Sequence, residues 1–524
     1  MRIFNITGPC NPAVHYMVPA EARTPDVTGL LTKRAWFVVH APRQTGKTTA
    51  MRALALRLCA EGTYAALYFS CEAARAFPED VNAAERRIWL AIVEGANQRL
   101  PEALRPPPLQ EVAVGGLLAV QLRVWAERCP RPLVLIFDEI DALEGSALQS
   151  VLSQLRESFY ERPERFPSSI ILCGMKDIRD YKFASGGGPV RQGSSSPFNI
   201  KERSLRLGNF TEAELRALYA QHTAETGQPF TEAALARAWY YSEGQPWLAN
   251  ALAREVVEEL RVPAPEPITE AHLDEAKERL ILARATHIDS LLARLSEDRV
   301  RRVMEPLIGG GLVLGGSSDE DVEYLRDLGL LAPTSPLRIA NPIYREVIVR
   351  VLAQTAKQNL PELHGRYTLP DGRLNMDALL AEFLDFWRQH GDLLSDGMPY
   401  HEVAPHLVLM GWLQKVCNGG GRMEREVGVG RGRVDLLLMW PIRRPGEPVR
   451  WQREVVEIKV WRDRRPDPLE EGLVQIDAYL SSLGLDTGTL ALFDRRAGAE
   501  LLPERATLGS ATTPAGRAIR VLRG

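Results

Sequence analysis

Two sets of side chains, near opposite ends of the chain, have the types and spacing to act on phosphates. The first lies in the run Ala41-Pro42-Arg43-Gln44-Thr45-Gly46-Lys47-Thr48-Thr49. Backbone N–H groups of such a loop, with the positive end of the helix that follows, cradle phosphate oxygens. Lys47 is expected to reach the β- and γ-phosphates, and the Thr48 hydroxyl to ligate Mg²⁺. Pro42, Arg43, Gln44, Thr45, Gly46, Lys47, Thr48 and Thr49 are therefore expected to line the nucleotide. The usual pattern starts with glycine, and here Ala41 stands in its place, which leaves the first turn of the loop open but not the role of Lys47. Alone, the run also reads as a polar turn with a solvated lysine.

A partner for it comes from Leu133-Val134-Leu135-Ile136-Phe137-Asp138-Glu139, an apolar run that ends in paired acids as a buried parallel strand should. Asp138 is expected to hold Mg²⁺ through its water shell, and Glu139 to polarise the water that attacks the γ-phosphate. The other reading of these acids is an acidic helix start after a strand. Loop and strand together specify an NTP hydrolase.

The second set is Asp435, Glu457, Lys459 and Gln475. Glu457 and Lys459 are two apart in the strand-like Val455-Val456-Glu457-Ile458-Lys459-Val460, hence on one face, and Asp435 lies on the strand-like stretch before it. Two carboxylates able to bind Mg²⁺ beside a lysine able to position or deprotonate water is the arrangement for phosphodiester cleavage. Gln475 and Tyr479 follow at helical spacing, and Glu402 is expected to complete the metal site. The context His401-Glu402-Val403-Ala404-Pro405-His406 is not a zinc motif, since the second histidine comes one position late and a proline intervenes. Taken singly, Glu457 and Lys459 are also what an edge strand uses to discourage pairing. Residues 422–465 hold twelve Lys/Arg against seven Asp/Glu, a local excess suited to phosphate contact.

The elements that must position these groups can be read in outline. An apolar run at 36–39, the loop, and a helix-like 50–58 give strand, loop and helix; strands follow at 64–70, 133–139 and 169–177, with helical sequence between, so the sheet should be parallel. Lys176, Asp177 and Arg179 stand where a γ-phosphate sensor belongs. The Gly- and Ser-rich run at 184–197 lacks apolar anchors and is expected to be mobile. His15, Tyr16 and Arg23 precede the first strand, either covering an adenine or belonging to an arm packed on the sheet. Residues 210–260 read as helical, with Thr211 and Thr231 as N-caps, and the proline-rich 262–267 reads as a linker. Short helices and a returning strand at 338–340 suggest a winged helix between about 285 and 353.

With 524 residues, 45% apolar and 25% charged, the chain is expected to form three to four globular domains. A net charge of −3 gives no global basic signature, so nucleic-acid contact must come from local patches. Six cysteines without CxxC spacing read as packing thiols in a reducing compartment. With neither a signal peptide nor a membrane-length apolar run, a cytoplasmic location is expected.

HAPRQTGKTT at 40–49, LIFDEID at 135–141, SPFNIK at 196–201, GQPWLANAL at 244–252, IANPIYREVI at 339–348, and GRGRVDLL at 430–437 with EIK at 457–459 carry a resemblance spanning nearly the whole chain. It is to bacterial and archaeal ATP-binding proteins that join an AAA-like P-loop ATPase to a winged helix and a C-terminal PD-(D/E)XK nuclease-type domain. The resemblance implies a multidomain α/β fold: ATPase core 1–205, helical lid 206–284, winged helix 285–360, helical linker 361–395, and restriction-endonuclease-like domain 396–524. It implies ATP with Mg²⁺ at the loop and one or two Mg²⁺ at the C-terminal site. The segment around Pro246 looks like the GxP element of ATPases related to the origin-recognition proteins, which makes Pro246 a neighbour of the nucleotide. The expected function is an ATPase whose nucleotide state controls a DNA nuclease in defence or DNA processing, with DNA as partner and a homo-oligomer compatible with it. The rival expectation is a nucleotide-switched scaffold that holds DNA or protein without cutting. An ATP-driven motor, the third reading, needs an oligomer and an arginine finger that the sequence does not identify.

Overall fold

The computed structural model describes the chain except residues 1, 20–22, 24–25, 111, 176–201, 284–292, 296, 309–318, 359–366, 397–403, 418–420, 430–431, 444–448 and 497. The sensor candidates Lys176, Asp177 and Arg179, the Gly/Ser-rich run and Glu402 lie outside the described residues. The chain divides into two compact units, Met1–His287 with Glu323–Ser335 and Ala340–Ile343, and Ile288–Val322 with Pro336–Ile339 and Tyr344–Gly524.

In the first unit, β1 (Phe37–His40), β2 (Ala65–Ser70), β3 (Leu133–Asp138), β4 (Ser169–Gly174) and β5 (Arg203–Arg206) form a parallel sheet in the order β2-β3-β4-β1-β5. The central strands are apolar at successive positions because both faces are covered. Trp36, Val38, Leu135 and Phe137 join one core with α3 (Val81–Arg99), α4 (Leu117–Arg128) and α5 (Gly145–Glu157). Phe37, Val39, Val134 and Ile136 join the other, with α1 (Val27–Thr32) and α2 (Lys47–Ala60). Side chains alternate across a strand, so one run of sequence feeds both cores. The carboxyl ends of β1 and β3, with β4 between them, therefore present the phosphate loop and the acidic pair along one edge.

The helices α6 (Glu212–Thr226), α7 (Glu232–Ser242), α8 (Pro246–Arg254) and α9 (Glu270–Leu282) follow. Thr211 and Thr231 cap α6 and α7 as the sequence predicts, the first in a reciprocal capping box with Glu214. The N-terminal arm meets the helices that follow the sheet. Phe4 lies against Tyr16 and Tyr219, Arg2 pairs with Glu225 at 2.6 Å, and the Trp247 indole N–H donates to the Ile6 carbonyl.

The segments α10 (Asp298–Ile308), α11 (Asp319–Leu328) and α12 (Pro342–Gln358) occupy the stretch read as a winged helix. The strand expected at 338–340 is reduced to a bridge at Ile339. Pro333 and Pro336 lack the N–H groups a strand pair needs.

The second unit carries a six-stranded mixed sheet: β6 (Arg422–Val429), β7 (Gly432–Ile442), β8 (Arg450–Trp461), β9 (Gly488–Asp494), β10 (Thr507–Thr512) and β11 (Ala518–Arg523), ordered β10-β11-β9-β8-β7-β6. It also holds α13 (Met376–Asp396), α14 (Ala404–Cys417), α15 (Leu469–Leu483) and α16 (Leu502–Arg505). α15 covers one face, packing Ile476, Tyr479 and Leu480 against Leu437, Val455 and Leu490. Phe383 and Trp387 of α13 meet Phe493. Among the described residues, no helix is long and apolar enough to cross a membrane.

Candidate functional site

The phosphate loop is held by its own backbone before any ligand is considered. Ala41 is buried, donates its N–H to the Gly174 carbonyl at 3.3 Å, and is not among the residues with positive φ. Alanine is therefore sterically acceptable where glycine was expected. The left-handed positions are Gln44 (φ 58°) and Gly46 (φ 87°), and Gly46 begins α2. Lys47 Nζ donates to the carbonyls of Ala41 (2.5 Å) and Pro42 (2.9 Å), and Thr45 Oγ1 donates to Pro42 at 2.8 Å. Desolvation lowers the Lys47 pKa below the ordinary lysine value, against the attraction of Asp141 and Asp138. An ammonium held on carbonyls at the start of a helix fits the phosphates of a nucleotide.

Asp138, 1% exposed at the end of β3, accepts from Thr48 Oγ1 (2.7 Å), Tyr68 OH (2.8 Å) and the Glu139 N–H (3.0 Å). The Thr48 and Asp138 oxygens, in contact, fit a Mg²⁺ and its water shell. Glu139 sits in the left-handed region (φ 56°), and its Oε2 accepts from Ser70 Oγ at 2.5 Å. Burial raises the Glu139 pKa; the Ser70 bond works against that rise, while Glu72, Asp138 and Asp141 add to it. Tyr68 and Ser70 were missed from the sequence. Their signal was faint: two polar residues near the carboxyl end of a strand whose register, Ser70 with Asp138, makes them neighbours of the acidic pair.

Of the remaining predicted loop residues, Arg43 is exposed, with Nε 3.3 Å from Met175 Sδ, and Thr49 Oγ1 accepts from the Cys10 N–H at 3.1 Å. Pro246 opens α8, is buried, and accepts from Asn250 Nδ2 through its carbonyl. Arg23, 8% exposed, donates to the carbonyls of Thr45 (3.0 Å) and Gly208 (3.1 Å) and lies over the Phe210 ring. It thereby ties the loop to the base of the helical bundle. His15 Nδ1 accepts from the Asn11 N–H within the arm.

In the second unit, the β7–β8 register pairs Leu436 with Val456, and one further step sets Asp435 across from Glu457. Asp435 Oδ2 accepts the Ile458 N–H at 2.8 Å, and Lys459 Nζ donates to Glu457 Oε1 at 2.8 Å. The structure thus brings Asp435, Glu457 and Lys459 together. Glu457 is 1% exposed, and its Oε2 is buried with no hydrogen-bond partner among the described residues. Burial and then Asp435 push its carboxyl up, while Lys459 pulls it back; the net position is about 7. Burial works against the Lys459 ammonium, but Glu457 and Asp435 outweigh it and the pKa rises. An orphaned buried carboxylate oxygen beside a second carboxylate fits a divalent cation. Gln475, on α15, donates to the Tyr479 hydroxyl at 2.7 Å. Among the described residues no group of three or more His, Cys, Asp or Glu gathers as a metal cluster.

Residues 32–181 match the family model described as an AAA domain. No curated protein matches the chain. Among solved structures, the chain is similar to the Walker-type ATPase PABY2304 of Pyrococcus abyssi at 13% identity and TM-score 0.46, over 66% of this chain and 99% of that one. It is also similar to the RuvB Holliday junction branch migration motor of Thermotoga maritima, at 17% identity and TM-score 0.34 over 62% and 92% of the two chains. The ORC1 protein of Aeropyrum pernix, solved in complex with DNA, gives 14%, 0.33, 64% and 93%. At these identities and scores, nothing about chemistry or partners carries over. With the matched family model spanning β1, the phosphate loop and the Asp138–Glu139 pair, the first unit carries an AAA-like P-loop ATPase domain.

Proposed function

We propose that the protein binds and hydrolyses ATP at the loop of Lys47 and Thr48, and that its nucleotide state controls Mg²⁺-dependent cleavage of DNA at Asp435, Glu457 and Lys459. In the first reaction Lys47 leaves its carbonyl partners for the β- and γ-phosphates, Thr48 and Asp138 hold the metal, and Glu139 orients water for in-line attack. Mg²⁺ supplies neutralisation of the charge that develops on the phosphate oxygens. The raised Glu139 pKa suits a group that takes a proton from that water. Pro246 is a neighbour of the nucleotide in this reading.

In the second reaction Asp435 and Glu457 hold the cation, with Glu402 and Gln475 as further contributors, and Lys459 orients the attacking water against the scissile phosphate. A divalent cation supplies Lewis-acid polarisation of that phosphate. The observation that carries this reading is Glu457 Oε2, buried and without a donor among the described residues. The domain limits proposed with it are 1–205, 206–284, 285–360, 361–395 and 396–524. A cytoplasmic protein of defence or DNA processing, forming a homo-oligomer, completes the reading. The rival, a nucleotide-switched scaffold with a non-cleaving nuclease fold, is favoured by the Lys459–Glu457 ion pair, which satisfies half of the carboxylate without a metal.

Incubation with single- and double-stranded DNA and Mg²⁺ or Mn²⁺, with and without ATP, tests the proposal. Metal-dependent cleavage whose rate changes with ATP is expected. DNA that is bound but never cut, under every metal and nucleotide condition, installs the scaffold reading instead.

A further inference from the structure

The phosphate loop rests on a turn that arrives from far along the chain, within the same unit. α11 (Asp319–Leu328) ends at Gly329, whose φ of +81° places it in the left-handed region. The Gly329 N–H donates to the Arg326 carbonyl (2.9 Å) and the Leu330 N–H to the Leu325 carbonyl (3.0 Å), a helix-terminating pattern that favours glycine. Glycine is needed there for a second reason. A Cβ on Gly329 would stand 2.8 Å from Pro42 Cβ and 2.9 Å from Pro42 Cγ, and a proline ring has little freedom to move aside.

The contact with Pro42 does not stand alone. Paired in register on β1 and β5, His40 and Arg206 point to the same side of the sheet. Arg206 donates through Nη2 to the Arg326 carbonyl at 2.7 Å, capping the carboxyl end of α11. Asp327, 5% exposed, sets Oδ1 3.4 Å from His40 Nδ1, at the residue before the loop begins. Pro42 is also the residue whose carbonyl receives both Lys47 Nζ and Thr45 Oγ1.

We propose that Asp327 and Gly329 are positioning residues for the phosphate loop: the turn Arg326–Leu330 seats Pro42 and His40, so its placement fixes where Lys47 is held, and nucleotide binding is linked to the seating of this turn. This rests on the reading of Lys47 and Thr48 as the nucleotide site. Linkage of this kind is reciprocal, so whatever ATP does to Pro42 is felt by α11.

Equilibrium binding of ATP with Mg²⁺ and steady-state ATPase kinetics on the full chain test it. Gly329→Ala is expected to weaken ATP binding roughly tenfold, raising KM and leaving kcat within about threefold, because Glu139 is untouched. Adding Pro42→Gly, which removes the ring atoms a new Cβ would meet, is expected to restore part of the loss. That non-additivity in a double-mutant cycle is what a merely structural role would not produce. If Gly329→Ala does not fold, Asp327→Asn gives the same KM-against-kcat split with a smaller rise. Unchanged ATP binding in Gly329→Ala or in Asp327→Asn, or losses that simply add when Pro42→Gly is combined, overturns the inference. Lys47→Ala serves as the reference. If wild type binds ATP no better than Lys47→Ala, the nucleotide-site reading fails and takes this inference with it. If it binds far better while Gly329→Ala binds as wild type does, only the inference falls.

Discussion

Each unit places a lysine beside carboxylates on a sheet, and the two lysines are displaced in opposite directions. Lys47 is drawn below the ordinary lysine value because burial outweighs Asp141 and Asp138, and its partners are carbonyls. Lys459 is raised because Glu457 and Asp435 outweigh burial, and its partner is a carboxylate oxygen. The carboxylates differ in the same sense: among the described residues, Asp138 has three donors, whereas Glu457 Oε2 has none. In the first site the ammonium rests on carbonyls with its nearest carboxylates outweighed by burial, and a bound anion would supply a direct counter-charge. In the second site the Lys459 ammonium serves one oxygen of Glu457, and a divalent cation would serve the other. One residue type thus marks an anion site in one unit and a cation site in the other, and the partner atoms decide which.

The sharpest break in this comparison comes from Asp435→Ala or Lys459→Ala, each expected to abolish metal-dependent DNA cleavage while leaving phosphate release from ATP unchanged. Cleavage that survives either substitution removes the second site from the chemistry. Lys47→Ala is expected to lower ATP turnover by about 100-fold or more and to leave metal binding in the second unit intact. Turnover at the wild-type rate would return the loop to a polar turn with a solvated lysine. Next in size, Mn²⁺ binding measured by calorimetry should strengthen about tenfold per pH unit up to roughly pH 7 and level off above it, since Glu457 must lose its proton to accept the ion. The linkage also has a sign for stability. With the folded pKa near 7 against an ordinary 4.5, the metal-free protein should lose stability as pH rises through that interval, and Mn²⁺ should reverse the loss. Thermal melting in chelator and in Mn²⁺ at pH 5.5 and 8 checks both directions. The smallest effect is assigned to Ser70→Ala, which removes one bond to Glu139 and should change ATP turnover by less than about tenfold; a larger drop would make Ser70 a principal holder of that carboxylate.

The residues that could be read from the chain are those whose geometry is local. A strand, loop and helix in succession place Lys47 and Thr48, and a two-residue period places Glu457 and Lys459 on one face. Even Asp435 was within reach, because an antiparallel partner close in sequence leaves few registers. Tyr68 and Ser70 were not, since their adjacency to Asp138 depends on strand order, and the sequence does not say that β2 pairs with β3 and not with β1. The seat beneath Pro42 was further out of reach: Tyr324-Leu325-Arg326-Asp327-Leu328-Gly329 reads as an ordinary helix end, and nothing in its composition says which surface it meets. The contacts of Phe4 with Tyr219 on α6 were equally out of reach, because they join residues far apart in the chain.

The lowered pKa of Lys47 has a consequence outside nucleotide chemistry. At neutral pH this amine spends a larger share of its time with a free electron pair than an ordinary lysine does. An acylating or reductive-alkylating reagent supplied in limiting amount should therefore modify Lys47 ahead of more exposed lysines. Phosphates at the loop would restore its charge and close that reaction, so a mass shift on one tryptic fragment would report occupancy of the loop without any turnover at all.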